Sequence, residues 1–205
     1  MRHFVSFALL TISLQAASVA PSLRAQNATA DKPAAMTTAP VPGARGEFLD
    51  EVAYYEQRFT RLAEAVPAEK YSWKPADGVR SIGEVYAHIV AANYGYGKML
   101  GTPYPAGLDP KSIAALANDK PKLVQAIKDS YAHFRQAVMN IKDSDLDNPL
   151  KLPNGRQSTV RGAFIYIAGH TGEHLGQSIA YVRQNGIVPP WTEDRLKQEA
   201  AKPKQ

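Results

Sequence analysis

Ser81-Ile82-Gly83-Glu84-Val85-Tyr86-Ala87-His88-Ile89 reads as the opening of a helix that carries a histidine on its apolar face. Ser81 and Glu84 stand at the spacing of a capping box. The serine hydroxyl takes up one free backbone N–H of the first turn, and the glutamate carboxylate takes up another. The helix continues to about Leu100, with Val85, Ile89 and Ala92 on one face, and Gly101-Thr102-Pro103-Tyr104-Pro105 stops it. His88 shares that face. A neutral imidazole turned into a helical core needs partners for its ring nitrogens, because an unpartnered buried polar group costs about 1–3 kcal/mol.

Three further helices flank this one. Phe48, Val52, Tyr55, Phe59, Leu62 and Val66 recur at spacings of three and four over Glu47–Val66, and Pro67 ends the run. Leu123, Ile127, Tyr131 (or Ser130), Phe134, Val138 and Ile141 mark a helix over Pro121–Ile141, capped by Asp119, after a loop of about fifteen residues. Leu152-Pro153-Asn154-Gly155-Arg156 is a tight turn. A last helix starts near Ser158 or Thr159 and runs to Gln184, with Asn185-Gly186 as its C-terminal cap. Ile187-Val188-Pro189-Pro190-Trp191 then reads as a tail lying on the bundle. Four helices of about twenty residues, with no strand-like alternation between them, define an all-α four-helix bundle.

His170 and His174 lie at i and i+4 on the fourth helix, within the stripe Ala163–Ile167–His170–His174–Tyr181. Side chains four apart share one face about 5–6 Å from each other, so the pair can pincer one metal ion. Two such histidines also arise by chance in a helix. Three inward histidines without evident polar partners, His88 included, are better explained by a shared cation. His133 sits beside the apolar stripe of the third helix and reads as a boundary residue. His170-Thr171-Gly172-Glu173-His174 lacks the glutamate directly after the first histidine that a zincin requires. The chain has no cysteine, so thiolate ligands, disulfides and a cysteine nucleophile are excluded.

At the N-terminus, Arg2 and His3 precede the apolar run Phe4–Ala20, followed by Pro21-Ser22-Leu23-Arg24-Ala25. This is the layout of a secretory signal peptide cleaved after Ala25. The run is short for a spanning helix, which needs about 20 residues, and it contains hydroxyl residues, so a permanent anchor is the weaker reading. Residues 26–45, rich in Ala, Thr and Pro, read as a disordered linker, residues 46–192 as the bundle and residues 193–205 as a flexible basic tail. The formal charge of +5 falls to +3 once Arg2 and Arg24 leave, and the basic residues are dispersed. No nucleic-acid partner is expected from that pattern, and no stable membrane insertion after cleavage.

Tyr71-Ser72-Trp73-Lys74-Pro75, Val79 to Ile89, and Gly169-His170-Thr171-Gly172-Glu173-His174-Leu175-Gly176-Gln177 resemble the DinB/YfiT-like superfamily of metal-dependent enzymes, over about Glu47 to Trp191. The resemblance implies an up-down-down-up bundle with a long crossover and a metal site on His88, His170 and His174. It also implies nickel, zinc or iron as the metal, and frequent homodimers. Characterised relatives include thiol-dependent transferases and isomerases, and most members have no known reaction, so substrate does not transfer with fold.

Three histidine ligands leave a coordination position open, as catalytic sites do. The expectation is a periplasmic or secreted metal-dependent enzyme of hydrolase or thiol-transferase type, acting on a small molecule. The alternative is a non-catalytic bundle that binds metal or a small ligand. Glu84 and Gln177 are expected to orient ligands from behind, and Asn93, Tyr94 and Tyr96 to line the pocket mouth.

Overall fold

The computed structural model describes residues 41–202; the expected signal peptide (1–25) and residues 26–40 of the expected linker lie outside them. Four long helices, α1 (Gly43–Ala65), α2 (Ile82–Met99), α3 (Lys120–Met139) and α4 (Val160–Gln184), form the bundle. The first starts four residues before Glu47, where its apolar stripe suggests, and so within the stretch assigned to the linker.

The caps are where the side-chain chemistry puts them. In α2 the Glu84 N–H donates to Ser81 Oγ (3.2 Å) and the Ser81 N–H to Glu84 Oε2 (2.7 Å). The Asp119 carboxylate accepts from the Lys122 N–H at the start of α3 (3.2 Å). Thr159 does the same for Gly162 at the start of α4 (3.0 Å). Gly186, at φ 73°, takes the left-handed conformation that ends α4.

Contacts between helices set their directions. Arg45 Nη1, at the start of α1, donates to the Ile141 carbonyl beyond the end of α3 (2.7 Å), and Lys120 Nζ, at the start of α3, donates to the Val66 carbonyl (2.7 Å). These helices are antiparallel. Phe48 stacks on Phe164 (4.3 Å between centroids) and Tyr55 Oη donates to the Ala168 carbonyl (3.1 Å), so α1 and α4 run parallel. Asn93 Nδ2 donates to Ser130 Oγ (3.2 Å), and the Gly97 backbone approaches His133 and Ala137, which makes α2 and α3 parallel. Trp73, just before α2, meets Tyr181 late in α4, whereas Tyr96, late in α2, meets Tyr166 early in α4. These two are antiparallel. The order is therefore up-down-down-up, as the family resemblance implies.

Parallel neighbours need a crossover between α2 and α3. Its second half is a 3-10 segment, Pro110–Asn118, where a plain loop is expected from the sequence. Ile113 and Ala117 anchor it in the core. Two other elements correct the sequence reading. The Asn154-Gly155 turn joins two three-residue strands, β1 (Pro149–Lys151) and β2 (Gln157–Thr159), paired antiparallel with Leu150 opposite Ser158. Residues 193–202 are not a flexible tail, because Pro190–Ala200 forms a fifth helix, α5. Its side chains are largely polar. It is held from α1, with the Arg58 guanidinium over the Trp191 ring (4.2 Å) and Arg61 paired with Asp194. No described helix is long and apolar enough to cross a membrane.

Candidate metal centre

Because α2 and α4 are antiparallel, His88 in the second turn of α2 lies beside the middle of α4, where His170 and His174 stand one turn apart. Ring centroids are 5.1 Å apart for His88–His170, 4.6 Å for His88–His174 and 4.6 Å for His170–His174. One nitrogen from each of the three rings can be chosen so that all lie within 4.8 Å of one another.

The nitrogens face each other as ligands do. His88 Nε2 and His170 Nε2 are 3.1 Å apart. Two nitrogens bound at about 2.0–2.1 Å to one ion, at octahedral to tetrahedral angles, stand about 2.9–3.4 Å apart. On the far side of the His170 ring, Nδ1 is buried with no partner among the described residues, so its hydrogen bonding is incomplete within the protein. His174 Nδ1–H donates to Gln177 Oε1 (2.8 Å), and Gln177 Nε2 donates to the Tyr181 hydroxyl (2.9 Å). That chain leaves the His174 Nε2 lone pair available on the opposite edge of the ring. The donor set fits a borderline divalent ion.

All three rings are only half-buried, but burial is enough to tune two of them. It is the main cause that pushes His88 down from the ordinary 6.5 to about 4, helped by the Arg80 guanidinium and then by the other two imidazoles. His170 is likewise pushed down to about 4, by burial first and His174 next, with Glu173 opposing. Near neutral pH both are therefore neutral donors. The sign for stability follows. In the metal-free protein the unfolded chain takes up these protons near 6.5 and the folded one only near 4. Stability is complete above about 6.5 and is lost as pH falls toward 4. Urea midpoints measured between pH 7 and pH 4 should fall more steeply for the metal-free wild type than for a His88→Asn, His170→Asn double variant. Equal slopes would contradict this.

Gln177 is in contact with a histidine, where an orienting residue has to be. Replacing it with leucine is expected to weaken zinc affinity roughly 10–100-fold, the usual range for a ligand's supporting partner. Competition with a chromogenic chelator measures this, and unchanged affinity excludes the role. Glu84 lines the same cavity as His88, but its Oε2 is engaged by the Ser81 amide. Asn93 does not line the site. Five residues beyond His88 is about 140° around a helix, so it points to α3, where it is buried against Ser130. Tyr94 follows it, against the half-buried His133 (5.2 Å between centroids). Tyr96 does reach the site, its ring 5.6 Å from that of His170, and burial raises its hydroxyl well above the ordinary 10.

Beside His88 opens a cavity of about 500 Å³, between α2, the 3-10 segment and the loop at Gly78–Arg80. Arg80 is the site residue that periodicity does not single out. It stands directly before the N-cap of α2, two turns from His88, and that position was the available signal.

An up-down-down-up bundle with three imidazoles converging from antiparallel helices defines a helical protein with an open histidine cluster. The family model of the DinB superfamily matches residues 53–178, a span that includes all three histidines, and the chain belongs to that superfamily. Similar solved structures include a DinB-like protein from Bacillus cereus ATCC 10987, 20% identical with a TM-score of 0.60 over 70% of this chain and 93% of that one. The DinB-like protein YjoA from Bacillus subtilis is 21% identical, with a TM-score of 0.53 over 69% and 93% of the two chains. YfiT from Bacillus subtilis, described as a probable metal-dependent hydrolase with an unusual four-helix bundle topology, is 13% identical, with a TM-score of 0.56 over 75% and 95%. At these identities the likeness is one of fold. No curated protein matches the chain.

Proposed function

We propose that this chain is an exported metal-dependent enzyme of hydrolase or thiol-transferase type, in which His88, His170 and His174 hold one divalent ion. The observation that carries the reading is the meeting of three imidazole nitrogens within 4.8 Å, with one of the rings, His88, lining a cavity of about 500 Å³. The description of YfiT as a probable metal-dependent hydrolase supports the same direction. Zinc, nickel and iron all suit three imidazoles.

An ion held by three histidines supplies Lewis acidity toward a substrate carbonyl, a thiol or water at its open position. The protein's part is positional. Gln177 holds the His174 ring, burial keeps His88 and His170 neutral, and Tyr96 closes the site on the α3 side of His170. Export rests on Arg2 and the apolar run Phe4–Ala20, and protein recovered from an expressing cell should then begin at Gln26. An extracytoplasmic location favours hydrolysis over thiol transfer, since low-molecular-weight thiol cofactors are mostly cytosolic.

Zinc-, nickel- and iron-loaded protein should turn over at least one member of an ester, amide, phosphate and thiol-transfer panel, with the activity abolished by chelation and by His174→Ala. Binding of metal without turnover of any of them would favour the second reading, a non-catalytic metal- or ligand-binding bundle. One observation speaks for it: the carboxylate nearest in sequence to His88, Glu84, is tied to a backbone amide and is not poised as a base.

A further inference from the structure

The cavity beside His88 has a chemical polarity of its own. Its body is apolar, with Val79, Ala87, Ala91 and Ile113 among the residues that line it, and Arg80 stands in its wall. The guanidinium forms no ion pair or hydrogen bond with any described residue. Arg45 is engaged on helix-end carbonyls, Arg61 by Asp194 and Arg161 by Asp147; Arg156 and Arg183 share with Arg80 the lack of a side-chain partner among the described residues, but neither lines the cavity. An unengaged fork of N–H donors in the wall of an apolar cavity suits an incoming planar anion.

Resting on the reading of this cavity as a substrate site, we propose that Arg80 binds the carboxylate of a small substrate whose apolar body fills the space between Ala87, Ala91 and Ile113. That places the reacting part of the molecule toward His88. The charge balance narrows the class further. Glu84 lines the same cavity, and one guanidinium brings a single positive charge, so a monoanion fits better than a dianion such as a phosphate monoester. About 500 Å³ is the volume of a small-molecule pocket, large enough for a benzoate-sized acid.

The test uses benzoate, benzamide and phenyl phosphate as probes, titrated calorimetrically into zinc-loaded and metal-free protein, wild type and Arg80→Gln. Wild type should bind benzoate at least tenfold more tightly than benzamide. Arg80→Gln should lose roughly tenfold or more of the benzoate affinity while its zinc affinity stays within about threefold of wild type. Arg80 is exposed, so the variant should fold normally, which its thermal transition checks. Failure of wild type to bind benzoate, or equal binding by Arg80→Gln, overturns the proposal. Phenyl phosphate binding more tightly than benzoate through Arg80 overturns the carboxylate assignment. If zinc does not bind yet benzoate still depends on Arg80, the metal reading falls and the anion pocket stands; zinc binding with indifference to Arg80 is the converse.

Discussion

Replacing His88 with alanine is expected to weaken zinc affinity by at least a factor of about 100, with the helix content and fold unchanged. Loss of a residue that merely supports a ligand typically costs about 10–100-fold, and loss of a ligand removes a metal–nitrogen bond outright. Only two histidines of α4 would remain, and Glu84 is tied to the Ser81 amide and cannot substitute without uncapping α2. The bundle should tolerate the change. His88 is only half-buried, and its one hydrogen-bonding neighbour is His170, so truncation leaves no core cavity and stability should move by no more than about 1 kcal/mol. The clearest readout is thermal. Saturating zinc should raise the transition temperature of the wild type and of His133→Ala, because a ligand bound only by the folded state stabilises it by mass action. It should leave His88→Ala where it was. A His88→Ala variant that binds zinc as tightly as the wild type would sink the three-histidine site.

Gly83→Ala is expected to cost about 3 kcal/mol or more, enough to leave the protein largely unfolded if its reserve is modest. On an exposed helix the same change stabilises by up to about 1 kcal/mol. Here the new Cβ would stand 1.8 Å from the Ala117 carbonyl oxygen, 2.8 Å from its carbon and 3.2 Å from Tyr71 Cδ1. Two of those atoms are backbone, so no rotamer relieves the clash. The first turn of α2 is also tied to the preceding loop by the Gly83 N–H donating to the Tyr71 carbonyl (2.9 Å), and Tyr71 in turn donates its hydroxyl to the Ala63 carbonyl (2.8 Å). Pushing the 3-10 segment off α2 would therefore disturb three elements at once, including the turn that carries Arg80 and Glu84 into the cavity. Gly95→Ala, in the same helix with nothing within 4 Å of the added carbon, is the control and should be neutral or slightly stabilising. Urea unfolding of both variants decides the matter; comparable stability of Gly83→Ala and wild type would show that the crossover yields easily.

Local chemistry was enough to mark much of this molecule. The stripes through Phe48, Val85, Leu123 and Ala163 recur with the period of a helix, and Ser81, Asp119, Thr159 and Gly186 sit where their side chains, or the lack of one, satisfy helix ends. Elements held by distant partners escaped such reading. Helix α5 carries little apolar surface of its own and depends on Arg58 and Arg61 of α1, and the strands β1 and β2 are too short to show an alternation. Asn93 shows the opposite error. It is near His88 along the chain but on another side of the helix, and there it meets Ser130.

For the candidate site, the division falls between one helix and two. The spacing of His170 and His174 is a property of a single helix and was determined by the sequence alone, as was the presence of Gln177 one turn beyond His174. That His88 Nε2 comes to 3.1 Å from His170 Nε2, across 82 positions of chain, depends on α2 and α4 being antiparallel neighbours at a particular rotation and height. Tertiary packing alone decided that, because rotation and height are set jointly by side chains throughout the core, from the Phe48–Phe164 stack to the close approach of Gly83 and Ala117. The place of Arg80 at the cavity, beside residues of a crossover segment some thirty positions away, was decided the same way.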